Sequence, residues 1–223
     1  MLLAGLALAL LQALPAHAVV ALQARQGVLE LTAVPPEGLR LEGEWALARG
    51  QFLDPASGAL PESFVPVPAP WNEAGGAHGF GTYALQVQCP AGQKLALSVP
   101  AQRSAMRLYV NGTLVARQGE PGDTAASARP AIGARATVTD AFSCPLAIRA
   151  HVSNFSHRKG GMVRSIAAGE RAMLAEDVRL QLVYNTLMLG AYGVLGLLSL
   201  IFFAARRKDV TPLYFGLFCL AQA

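Results

Sequence analysis

From Leu180 to Ala205 the chain reads LQLVYNTLMLGAYGVLGLLSLIFFAA, without one charged residue. Arg179 closes the run on one side and Arg206-Arg207-Lys208-Asp209 on the other. A helix rises about 1.5 Å per residue, so roughly 20 residues cross a hydrocarbon core of about 30 Å. A soluble helix of this length needs a polar stripe, and this run has none. It reads as a transmembrane helix over residues 180–205. Everything before it must then lie on one side of a membrane.

The N-terminus points to which side. Leu2 to Leu14 is an apolar block, and Ala16 and Ala18 form a small-x-small cleavage pattern, so residues 1–18 read as a signal peptide. No Lys or Arg precedes the block. Either the true start lies upstream or the signal is a weak one; the block is short for an uncleaved anchor. Export puts residues 19–179 in the periplasm. Arg206, Arg207 and Lys208 then fall in a cytoplasmic turn, residues 206–211, as the positive-inside rule requires. That cluster supplies part of a net charge of +4 and is a topology signal, so nucleic acid is not an expected partner. The expected location is a bacterial inner membrane.

The middle of the chain is more polar than the 53% hydrophobic average implies. Its length suits one domain, residues 26–170. Thr82–Gln88 alternates, with Tyr83, Leu85 and Val87 on one face. Lys94–Val99, Ala105–Val110, Thr113–Arg117, Thr137–Thr139 and Leu146–Val152 read as further strands. Asn111-Gly112 marks a two-residue hairpin, since both central positions of a type I′ turn need positive φ. Short strands at regular spacing predict an all-β sandwich. The loop from Gly119 to Arg135 is long and rich in Ala, Gly and Pro. Cys89 ends one strand and Cys144 precedes another. If those strands pair antiparallel the sulfurs meet in a compartment that permits oxidation; otherwise they are two buried thiols.

Four segments in order resemble a known family: LEGEWALARGQFLDP (41–55), VPVPAPWNEAGGAHGFGTYAL (65–85), SAMRLYVNGTLVARQGEPG (104–122) and HVSNFSHRKGGMVRSIAAGE (151–170). The family is the bacterial seven-transmembrane receptors with diverse intracellular signalling modules. The membrane start LMLGAYGVLGLLSLIFFAARRKDVTPLYFGLFCL is similar to its first span and turn. The resemblance implies an exported jelly-roll sensor, mainly β and galactose-binding-like, ahead of a helical membrane bundle. It also implies a cytoplasmic output such as a histidine kinase, a diguanylate cyclase or an adenylate cyclase. The GTYAL…LYVNG…SN pattern is also similar to the sugar-binding jelly roll of certain glycoside hydrolases, which carries fold and not function. The chain stops at Ala223, inside a second apolar run. Residues 212–223 read as the start of a truncated second membrane helix, of a fragment or a broken gene.

The candidate ligand residues are Trp71, Asn72, Asn154, His157 and Arg158. Trp71 offers a ring for stacking on a sugar, and Asn72 an amide for hydroxyls. Asn154 donates and accepts, His157 titrates near neutrality, and Arg158 offers a fork to an acid or hydroxyl. Against this stand plainer readings. Trp71 would seal one end of the sandwich, as Trp45 would fill its core. The 154–161 loop would be a turn, or a coupling element facing the membrane region. Asn111 is fully explained by the hairpin turn.

No carboxylate pair, catalytic triad, phosphate loop or metal-ligand spacing is legible, so neither enzyme activity, cofactor nor metal is expected of this chain. Gly190, Gly193 and Gly196 would give the span a face for neighbouring helices. Residues 171–179 read as a charged connector, with helix starting near Glu170. The function expected is sensing of a small molecule, a carbohydrate being one option, with the signal passed through the bundle. The alternative is a periplasmic interaction or dimerisation module with no small ligand. A tethered glycosidase fragment is a third reading.

Overall fold

The computed structural model describes residues 22–131 and 135–222; the signal-peptide reading at 1–18, residues 132–134 of the long loop and Ala223 lie outside them. The chain divides into two units, between Leu174 and Ala175. The first is mainly β. Its strands are β1 (Gln23–Ala24), β2 (Val28–Glu30), β3 (Leu39–Arg49), β4 (Phe64–Val67), β5 (Gly79–Gln88), β6 (Lys94–Val99), β7 (Ala105–Val110), β8 (Thr113–Gln118), β9 (Thr137–Val138), β10 (Phe142–Ser143), β11 (Leu146–Asn154) and β12 (Ile166–Gly169). They pair along the path β10-β6-β12-β3-β5-β11-β7-β8, forming a sandwich that nearly closes on itself.

The strand β3 makes that closure possible. Its first residues, Leu39–Leu41, pair with β12, and its last, Ala46–Arg49, pair with β5. The switch falls at Gly43, whose φ is +109°. A Cβ there would lie 2.5 Å from the Ala24 nitrogen and oxygen, so only glycine allows β1 to pass this close. Leu41 and Trp45 flank the switch, fully buried, and the Trp45 indole N–H donates to the Leu41 carbonyl at 3.2 Å.

The hairpin expected at Asn111-Gly112 joins β7 to β8, with φ of +49° and +80°. The same turn reaches β11: the Ala147 N–H donates to Asn111 Oδ1 at 2.8 Å. Cys89 and Cys144 are joined in a disulfide. Leu146 pairs with Val87 in the β5–β11 ladder, and stepping both strands outward by two residues brings Cys144 opposite Cys89. The register therefore sets the bond up. Closing a loop with a sequence separation of 55 is worth about 4 kcal/mol on the chain-entropy account.

Helix α1 runs from Arg171 to Ala205 and helix α2 from Thr211 to Gln222. The 171–179 segment, read from sequence as a connector, is the start of α1. Within the first unit the opening turn of α1 is anchored. The Met173 methyl lies 2.7 and 2.9 Å from where a Cβ on Gly38 or Gly169 would fall. Leu174 is buried, and Arg171 meets Asp140 at 3.4 Å.

Beyond that turn α1 is long and apolar enough to cross a membrane. Its large side chains are outward, Leu187 being 64% and Phe202 67% exposed. Asp209 Oδ1 accepts the Thr211 N–H at the start of α2, where Pro212 needs no donor of its own. Of the three glycines expected to give the span a face, one meets a helix of this chain. Gly196 packs against α2, where a Cβ would lie 2.8 Å from Leu220 and 3.1 Å from the Gly216 carbonyl. Gly190 and Gly193 meet nothing within 4 Å. Each step of three residues turns about 60° round the helix, so the three glycines form a drifting stripe.

Candidate functional site

The five predicted ligand residues do come together, at one end of the sandwich. Arg49, at the end of β3, organises the first loop. Its Nη2 donates to the carbonyls of Gly75, Gly76 and His78 at 3.0, 2.8 and 2.9 Å. Its guanidinium also lies 4.7 Å over the Trp71 ring. Trp71 opens a short 3₁₀ helix, Trp71–Ala74. Its ring is parallel to Tyr83 at 6.0 Å, its N–H donates to the Ala77 carbonyl at 2.9 Å, and it is 2% exposed.

The second loop, after β11, is zipped onto the first. Asn72 donates to the Arg158 carbonyl at 2.9 Å and accepts from the Gly160 N–H at 3.2 Å. Trp71 N–H donates to Gly160 O, and Ala69 N–H to Met162 O, both at 3.0 Å. Asn154 is buried. Its Nδ2 donates to Ala77 O and His157 O, and its Oδ1 accepts the His157 N–H. The Met162 N–H reaches the Tyr83 hydroxyl at 3.3 Å; burial raises that hydroxyl's pKa well above its ordinary value, the bond from Met162 acting the other way. Buried Gln102 closes the zip, accepting from the Val163 and Arg164 N–H groups and donating to the Arg164 carbonyl. A Cβ on Gly160 would lie 2.2 Å from both the Ala77 carbonyl and the Trp71 indole nitrogen.

This geometry corrects the ligand reading. Trp71 is 2% exposed, with its ring packed on Tyr83 and Arg49, so it offers no free face to a sugar. The amides of Asn72 and Asn154 are used on the main chain, where they hold two loops together. His157 Nδ1 accepts the Lys159 N–H. Only the Arg158 side chain projects outward, exposed. The double glycine here meets a need for close approach.

A second assembly lies on the outer face of the β5–β11 sheet, and sequence reasoning did not single it out. Along β11, Ile148, Ala150 and Val152 face the core, so Arg149, His151 and Ser153 face out. A strap of irregular chain, residues 51–61, crosses this face and is held by side chains from beneath. Thr82 Oγ1 donates to Gln51 O and accepts the Leu53 N–H, both at 2.9 Å. His151 Nε2 meets the Leu53 carbonyl at 2.8 Å. Its ring packs against Phe52 and Tyr109, both at 5.0 Å. Burial lowers the His151 pKa from the ordinary value; the Leu53 carbonyl opposes this and the Arg107 charge adds to it. Gln86 donates to Gly58 O at 3.0 Å. Arg149, 2% exposed, donates from Nη2 to the carbonyls of Ser57 and Ala59 at 2.5 and 2.6 Å. Its Nε and Nη1 are buried without a partner, and burial lowers its pKa. Alongside, Arg107 and Arg117 share the carboxylate of Glu120. The alternation of LAIRAHV already puts Arg149 and His151 on one face. No local signal announces a strap lying 90 or more residues away in sequence.

Among the described residues a small cavity of about 110 Å³ lies beside Ser153, Asn154 and Phe155, and larger grooves open elsewhere on the outer surface. One, of about 420 Å³, is lined by Gln23, Arg25, Glu42, Glu44 and Pro66 among others. It brings together two carboxylates that sequence left unpaired, because positions 42 and 44 of β3 share a face. Glu44 already accepts the Gln26 N–H at 3.1 Å, and Glu42 lies 3.9 Å from Arg40. Another, of about 270 Å³, is lined by Gln86, Gln88, Asn111, Pro145, Leu146 and Ala147, beside the strap. Among the described residues no cluster of His, Cys, Asp and Glu is arranged to hold a metal.

No family model matches the chain, and no curated protein does. Solved structures with a partly similar arrangement include a glycoside hydrolase family 2 β-galacturonidase from Eisenbergiella tayi: 14% identity, TM-score 0.39, 59% of this chain and 24% of that one. A β-glucuronidase from Bacteroides uniformis is 18% identical with TM-score 0.42, over 56% of this chain and 16% of its own. One from Ruminococcus gnavus is 14% identical with TM-score 0.43, over 62% and 31%. The chain thus spans less than a third of each, and a likeness at this level says nothing of what it does.

Proposed function

We propose that this chain is the sensing end of a bacterial transmembrane receptor: a galactose-binding-like jelly roll in the periplasm that binds a small molecule, followed by the first helix of a membrane bundle. In this reading the chain resembles the seven-transmembrane receptors with diverse intracellular signalling modules and carries no catalysis itself. One observation supports it above the others. The last strand of the sandwich ends at Gly169 and the long apolar helix begins at Arg171, with only Glu170 between them. The charge-free run from Leu180 and the basic Arg206–Lys208 cluster set an outside-to-inside direction. A ligand preferring one arrangement of sandwich and helix shifts the population toward it, by no more than its differential affinity.

A ligand screen on the full chain in detergent micelles tests this, with melting followed across sugars, organic acids and nucleotides. The expected result is a shift with one chemical class; silence across all of them sinks the sensor reading. Reporter fusions at residues 174 and 209 check the direction, with activity outside the cytoplasm expected only for the first.

The interaction-module reading draws on a specific observation too. At the end of the sandwich bearing Trp71 and Asn154, the Trp71 ring and the Asn154 amide are engaged by the protein's own loops. A partner or a second copy would then dock on the outer surface. A sedimentation measurement showing a dimer, together with a silent ligand screen, favours it.

A further inference from the structure

We propose that the groove bounded by Gln86, Gln88, Asn111 and Ala147 takes a small hydroxylated anion, with Arg149 as its counter-ion once Ser57–Ala59 of the strap lifts. This rests on the sensor reading and names the ligand class and the site.

Arg149 carries the argument. A guanidinium has five N–H donors and no acceptor. Here it is buried, gives two bonds to strap carbonyls, and leaves Nε and Nη1 without partners. Among the described residues no carboxylate forms an ion pair with it. A buried cation answered only by neutral carbonyls is unfavourable, and an anion would answer it better. Its neighbours on the same face, His151 and Arg107, supply no negative charge. Glu120, the nearby acid, is already shared between Arg107 and Arg117.

The groove lies next to this charge. Arg149 pairs with Ala84 across the β5–β11 ladder, and the next pair on that face is Ala147 with Gln86. Both Ala147 and Gln86 line the groove. The separation is two residues along a strand, about 7 Å. The Gln86 amide holds Gly58 of the strap, whose chain neighbours Ser57 and Ala59 are held by Arg149. The amides of Gln86 and Gln88 donate and accept, which suits hydroxyl groups. A carboxylate entering from the groove would replace the Ser57 and Ala59 carbonyls on Arg149. Those carbonyls belong to exposed or half-exposed residues and would return to water. Binding and lifting of the strap are then one event.

The experiment uses the full chain in detergent micelles with D-gluconate as probe. D-glucitol has its hydroxyls without the carboxylate, and acetate the carboxylate without the hydroxyls. Melting temperature and hydrogen exchange over residues 51–61 are read together. Gluconate is expected to raise the melting temperature by a few degrees and to speed exchange in the strap several-fold, with glucitol and acetate well behind. Arg149→Gln should abolish both effects, and Gln88→Ala should weaken gluconate several-fold. Should Arg149→Gln fail to fold, Gln88→Ala and the strap exchange decide. Equal responses to gluconate and glucitol, a response kept in Arg149→Gln, or a strap unmoved by gluconate overturns the proposal. A neutral ligand whose effect survives Arg149→Gln removes this site and leaves the sensor reading standing. Silence across the wider screen removes both.

Discussion

Two stretches of irregular chain cover the same sandwich, and they are held in different ways. The clasp formed by residues 69–79 and 154–164 matches its donors to acceptors: Asn72, Asn154 and Gln102 each bond main chain in both senses, and Trp71 is buried against Tyr83 and Arg49. The strap at 51–61 is tied down by four side chains from beneath, one of which keeps two donors unanswered. Buried polar networks that are fully satisfied rigidify a structure, whereas an unsatisfied buried donor carries its desolvation cost in the closed state, which opening relieves. The clasp therefore reads as construction, and the strap as the part that can move.

The sharpest way to break this contrast is at Trp71. Trp71→Ala should destabilise the sandwich by about 3–5 kcal/mol, the range for emptying a buried aromatic site, as read from denaturant unfolding of the full chain. A loss below about 1 kcal/mol would mean that the clasp is as loose as the strap. Next comes Asn72→Ala, which leaves the Arg158 carbonyl and the Gly160 N–H without their partner. About 1–3 kcal/mol is expected, with faster hydrogen exchange at Gly160.

Much of the fold was legible in local pattern, and the reasons differ by element. The stretch Lys94–Val99 and the Asn111-Gly112 hairpin follow from period-two alternation and turn chemistry, and the structure has them at those residues. The strand β3 keeps its alternation, with Leu39, Leu41, Trp45 and Leu47 buried, but its change of partner about Gly43 is not written in local pattern. Thr82 and Ala84 are as buried as Tyr83 because the strap covers the outer face, which alternation alone cannot reveal. The choice between a ligand loop and a structural one was open in the sequence for a related reason. Residue types that suit a ligand loop, Trp, Asn, His and Gly, also suit a loop that must satisfy its own main chain. Only the partners, 77 to 88 residues away, tell the two apart.

At the strap the expected effects are smaller. Arg149→Met removes two bonds to carbonyls that water can reach, and also removes a buried cation with no acid beside it. The terms oppose, so stability should change by no more than about 1 kcal/mol. The strap itself should loosen, with proteolytic cutting confined to residues 51–61. A loss on the scale of Trp71→Ala would show that Arg149 holds the domain together and would erase the distinction between the two coverings.

His151 gives the finest test, because it sits under the strap and titrates. In the folded chain its imidazolium is disfavoured by burial, an effect the Leu53 carbonyl partly offsets and the Arg107 charge reinforces. The unfolded chain, with an ordinary pKa of about 6.5, therefore takes up the proton more readily. Stability from this residue is fully present above that value. It falls as the pH is lowered through the window between the unfolded and the depressed folded pKa, and the slope ends below the latter. The residue is only half-buried, so the loss should be small beside that of Trp71→Ala. Its location is the informative part: on acidification, hydrogen exchange should rise first over residues 51–61 and not over 154–164. His151→Phe keeps the stacking on Phe52 and Tyr109 and removes the titration, so its strap exchange should be flat across the same window. If both loops loosen together in the parent chain, the strap is not an independent element and opens only with the clasp.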